Sequence, residues 1–217
     1  MDAIDDMAEI SQIQKYISED STAVFRIAWY VIASKPNVLL EEYNEAESTN
    51  FQGDAKFSLH IAGEKAFASV KVDEEDASVE LHAQGKDDVA LKVYLDDIMQ
   101  RLEDALDKFK SLPVEDKSKL RRALVAKTCW DRVVYKILKR APLSEVYYQV
   151  AHGREMIIKA TEGDEVVNPI ALTTSAWLAN IESLPRGEQL PGNIASELAK
   201  KSIEWKKRTH EVIRRYL

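Results

Sequence analysis

The chain has 217 residues, 45% hydrophobic and 31% charged, with a formal net charge of −7, the composition of a globular protein of one large or two small domains. Seven Gly and six Pro exclude collagen-like and Pro/Gly-rich disordered chains. The single cysteine, Cys129, excludes a disulfide scaffold and a zinc site built on two or more cysteines.

No basic, apolar leader opens the sequence, and the longest apolar stretch (residues 23–33) contains Arg26 and is too short to span a bilayer. A cytoplasmic location is therefore expected. The charge is divided unevenly: residues 1–114 carry 24 Asp/Glu against 11 Lys/Arg, and residues 115–217 carry 13 against 19. Such asymmetry points to an anionic partner for the basic half, or to two halves that complement each other.

In chain order, Ile4, Met7, Ile10, Ile13 and Ile17 recur at helical spacing and predict an acidic amphipathic helix over 3–17. Ser18–Ser21 offers cap chemistry for the segment 22–33. Its length suits a buried helix and its β-branched and aromatic content suits a strand; helix is the reading taken. Residues 38–47 read as a brief helix and 48–54 as a loop.

Three stretches then alternate apolar and polar residues: Phe57–Ile61, Ala66–Val72 and Ala77–Ala83, with turns at Gly63-Glu64 and Asp73–Asp76. They predict an antiparallel meander of three strands, or four, with one apolar face. The opposite face would carry Lys56, His60, Lys65, Phe67, Lys71 and His82. An aromatic flanked by cations is a stacking platform of the kind single-stranded nucleic-acid binders use. The same face could instead be covered by a helix. Two histidines with no third ligand do not make a metal site.

Residues 87–110 predict a long helix whose Leu91, Leu95, Ile98, Leu102, Leu106 and Phe109 step by four and three, a seam able to pair two chains. Ser111-Leu112-Pro113 breaks it and sets the expected division into an acidic α+β region, 1–113, and a basic helical region, 114–217, unless the two form one integrated domain. A basic helix follows over 115–141, with a second cap at Thr128 and Asp131 as one possibility.

Pro142 stops that helix. Residues 143–150 read as a short helix closed by His152-Gly153, and 156–160 with 166–167 as a small hairpin. Asn168-Pro169 starts a helix to about 184, and Asn193 caps a last one to 217. The expected fold is α+β and mainly helical.

On a helical wheel Arg121, Arg122, Arg132, Lys136, Lys139 and Arg140, with Lys117, fall within about 140° of arc. A cationic stripe of this kind can track phosphates, meet an acidic protein, or stand as a solvated face. No nucleotide-binding, hydrolase, metalloprotease or calcium-loop motif is present, so neither catalysis nor a cofactor or metal is expected.

The leading expectation is a non-catalytic binding protein whose six cations on the 115–141 helix contact nucleic-acid phosphates, with Lys65, Phe67 and Lys71 as a second platform. An adaptor or assembly subunit with complementary halves is the alternative. A winged-helix DNA-binding module over 133–167 is a further one, with the hairpin as its wing.

Overall fold

A computed structural model describes residues 8–15, 20–35, 38–46, 52–73, 78–162, 168–185 and 188–217. The chain is α+β and mainly helical, and divides into two compact units, Met1–Lys110 and Ser111–Leu217.

The first unit runs β1 (Ala8–Lys15), α1 (Ser21–Ala33), β2 (Leu39–Ala46), β3 (Gln52–Ile61), β4 (Glu64–Asp73), β5 (Ser78–Gly85) and α2 (Asp88–Ser111). Its sheet is antiparallel throughout, in the order β1-β5-β4-β3-β2. The three alternating stretches of the sequence form its middle. Phe57, Leu59, Ala66, Ala68, Val70, Leu81 and Ala83 all point into the core. Ala62 and Gly63 both adopt left-handed backbone (φ 51° and 83°), as a two-residue hairpin turn requires.

Against that face lies α1, packed on β3 and β4 and buried from Ala23 to Ala33. The Asp20 side chain caps it by accepting the Ala23 N–H at 3.1 Å. Trp29 meets Phe57 edge-on at 5.3 Å between centroids.

Both outer strands correct the sequence reading. Residues 8–15, expected as helix, form edge strand β1, paired from Ala8↔Gly85 to Lys15↔Ser78. Residues 39–46, also expected as helix, form the opposite edge, β2, with a register irregularity between Leu40 and Glu42. The sheet thus has five strands where three or four were expected. The turn residues 74–77 lie outside the described residues, as do 3–7 and 16–17 of the expected first helix.

The seam of α2 is also corrected. Leu91, Leu95, Ile98, Leu102 and Leu106 are at most 1% exposed within a single chain. They are spent inside the chain, so they do not offer the expected pairing face between chains.

The second unit holds α3 (Val114–Leu138), α4 (Leu143–Ala160), α5 (Asn168–Glu182) and α6 (Gly192–Ile213). Polar ties set their directions. Arg122 reaches the Lys159 carbonyl (3.1 Å) and Lys136 pairs with Glu145, so α3 and α4 are antiparallel. The Tyr147 hydroxyl donates to Glu182 (2.6 Å) and Arg154 to Ser175 (2.9 Å), so α4 and α5 are antiparallel as well. The indole of Trp130 donates to Thr209 and that of Trp205 to Thr173, both at 2.9 Å, tying α6 to α3 and α5. The result is an up-down-up-down four-helix bundle.

The winged-helix alternative and the small hairpin fall here, because residues 143–160 are one helix. His152-Gly153 does not end it. A Cβ on Gly153 would stand 2.7 Å from the Trp130 ring, so this glycine permits a close approach of α4 to α3. Residues 163–167 of the expected hairpin lie outside the described residues. Likewise α3 is not re-capped at Thr128, whose hydroxyl donates to the Leu124 carbonyl inside a continuous helix.

Candidate functional site

Period-2 geometry sends alternate residues of β3, β4 and β5 away from the core, and the register then fixes their neighbours. Phe67 stands on β4, the middle strand, between Ser58 and Gln84. The Lys56 ammonium lies 4.8 Å and the Lys65 ammonium 5.1 Å from its ring centroid. His60 is opposite Lys65, and Lys71 follows on the same strand between Asp54 and Glu80.

Lys65, Lys71 and His60 are exposed, and Phe67 and Lys56 half-buried. Helix α1 packs on β3 and β4 from the other side of the sheet, so it does not cover the Phe67 face.

Carboxylates frame this patch. His82 sits with Nε2 3.1 Å from Glu80 and Nδ1 3.8 Å from Glu9 of edge strand β1. Glu42 of β2 is the cross-strand neighbour of Lys56. The cations therefore lie on the β3–β4 pair around one aromatic, with Asp54 and Glu80 on either side of Lys71 and further acids on the edge strands.

The α3 cations fall into two groups. Arg121 and Arg122 lie on one side of a segment, Ala126–Asp131, that is buried all the way round; Arg132, Lys136, Lys139 and Arg140 lie on the other. Ten residues, about 15 Å of helix, separate Arg122 from Arg132. Two of the six tie helices together, Arg122 to the Lys159 carbonyl and Lys136 to Glu145. Lys139 lies 5.6 Å from the Tyr135 centroid, and Arg140 follows the helix end. Arg121, Lys139 and Arg140 are exposed; Arg122, Arg132 and Lys136 are half-buried.

A polar cluster inside the bundle escaped the sequence reading. Lys127 is only 2% exposed, with Asp131 one turn along α3. Lys206 of α6 forms an ion pair with Asp131, and His210 stands one turn along from Lys206. Burial pushes the Lys127 ammonium down to about 7; Asp131 opposes the shift and Lys206 adds to it. Burial first, then Lys127, lowers the His210 pKa. The available signal was one cation off the basic arc, inside the run Ala126-Lys127-Thr128-Cys129-Trp130.

Cys129 itself is 1% exposed, which shields its thiol from solvent. Among the described residues no three His, Cys, Asp or Glu come together as metal ligands, and no helix is long and apolar enough to cross a membrane. Compared with known protein families, curated proteins and solved structures, the chain matches none.

Proposed function

We propose that the chain is a non-catalytic nucleic-acid-binding protein that takes a single strand on the Phe67 face of the sheet in its first unit. The observation that carries this reading is Phe67 on the middle strand, with the ammonium groups of Lys56 and Lys65 at its ring. Every base has a π-face, so one aromatic on a sheet binds unpaired bases with little regard to sequence. Cations beside it meet the phosphates on either side of the stacked base, and Lys71 extends them along β4. A duplex keeps its bases stacked on each other and gives Phe67 nothing to hold.

Anisotropy titrations of labelled single-stranded and duplex oligonucleotides at fixed salt test this. Tighter single-strand binding is expected, and Phe67→Ala should cost roughly 1–3 kcal/mol of it, the worth of one base–aromatic stack. Phe67 is half-buried, so thermal stability is measured in parallel. Unchanged affinity in a folded Phe67→Ala protein overturns the reading.

The adaptor reading keeps one specific support. Helix α5 carries a single charged residue, Glu182, and its Leu172 is 70% exposed. A helix with so little charge that shows a large apolar side chain suits a protein partner. Loss of partner binding in Leu172→Asp, with oligonucleotide binding intact, would separate the two readings.

A further inference from the structure

One turn of α3 and one of α6 put four titratable groups into one contact: Lys127 and Asp131 from α3, Lys206 and His210 from α6. Asp131 is already engaged by Lys206, so one carboxylate serves two ammonium groups, and Lys127 and Asp131 are both buried. The same contact carries the apolar attachment of α6. Trp130 stacks at a tilt on Trp205, 5.2 Å between centroids, and donates to Thr209. Of the groups packed around this cluster, Arg214 and Glu211 of α6 also face His210. Asp131 and Lys206 are the charged groups that act on Lys127, and α4 packs on the same α3.

We propose that α6 is a pH-graded latch on α3, loosened when Lys127 and then His210 hold a proton and tightened as they release it.

The direction follows from burial. A desolvated amine is held more easily as the neutral base, and in the released state it regains water and takes up a proton. The Lys127 pKa is about 7 with α6 in place, below the ordinary lysine value of 10.5 toward which release moves it. Over that interval the released state binds one more proton than the latched state, so release is favoured as pH falls from 10.5 toward 7. Below 7 both states hold that proton and its contribution is constant. His210 then acts in the same direction: its pKa lies below 6.5 when latched, so acidification through 6.5 favours release further. The latch therefore tightens steadily from mildly acid to alkaline pH.

Hydrogen exchange of the full chain, corrected for the pH dependence of intrinsic exchange, measures the latch directly. Protection of the α6 amides is expected to rise about tenfold per pH unit between 7 and 9, the signature of one linked proton. The amides of α5 should show no such slope. Lys127→Met should abolish the slope and raise α6 protection at pH 7. A flat wild-type profile, or a slope that survives in Lys127→Met, overturns the proposal. The same slope across α4 and α5 also overturns it, since the whole bundle would then be opening. Should Lys127→Met not fold, an NMR titration of the Lys127 side chain in the wild-type protein decides. A midpoint near 7 supports the latch, and one near 10.5 overturns it.

Discussion

Arg140 ends α3 with φ at +53°, where the Ala141 N–H closes back on the Lys136 carbonyl at 2.9 Å. That is a Schellman turn with an arginine in the place glycine usually takes. Left-handed backbone costs an L side chain about 1–2 kcal/mol. Arg140→Gly should therefore raise the denaturation midpoint, by about 1 kcal/mol of stability once glycine's extra unfolded-state freedom is deducted. The opposite sign is expected at Gly153. In an open helix Gly→Ala is stabilising by about 1 kcal/mol. Here the new methyl meets two Trp130 ring carbons at 2.7 Å and the Cys129 Cβ at 3.0 Å. Trp130 cannot swing away, because its indole is bonded to Thr209 and its ring packs on Trp205. Overpacking of about 1–3 kcal/mol then prevails, so Gly153→Ala should lower the midpoint in urea.

At the scale of elements, α2 shows what a heptad-like seam means when one chain buries it. Leu102 is 0% exposed. Leu102→Ala should cost about 2–5 kcal/mol of stability and leave the sedimentation coefficient of the folded protein unchanged. A fall in mass on substitution would show that the seam pairs chains after all. The middle strands were legible because each alternates strictly, and with them the face bearing Lys56, His60, Lys65, Phe67 and Lys71. The edge strands were not. In β1 the position paired with buried Leu81 is Gln12, which bonds to Asp96 of α2 at 2.6 Å, while Ile13 points outward at 63% exposure. Its isoleucines consequently mimic a helical period. In β2 the irregularity after Leu40 breaks the alternation, and glutamates fill much of the strand. On the helices, a glycine that admits a tryptophan ring looks like a helix stop in the sequence. The pairing of Asp131 with Lys206 joins residues far apart in the chain, which local spacing cannot reveal.

Across the whole molecule the two charge distributions make different demands on salt. Residues 1–110 hold 24 acids against 11 cations, yet three of those cations, Lys56, Lys65 and Lys71, share the two strands around Phe67. A strand bound there contacts few phosphates, because Glu42, Asp54, Glu80 and Glu9 flank the patch and repel a longer path. For single strands the logarithm of affinity falls with the logarithm of salt by about 0.7 per phosphate neutralised. Three lysines then give a slope near −2, and most of the affinity survives in high salt because stacking on Phe67 does not screen. Had the six α3 cations joined the same contact, the slope would approach −6 and binding would collapse within a few-fold rise in salt. The expected outcome is the shallow slope, reduced toward −1 in Lys56→Gln/Lys65→Gln and unaltered in Lys139→Gln/Arg140→Gly. A steep slope that flattens only with the α3 substitutions would transfer the binding site to the helical unit and leave Phe67 without a role.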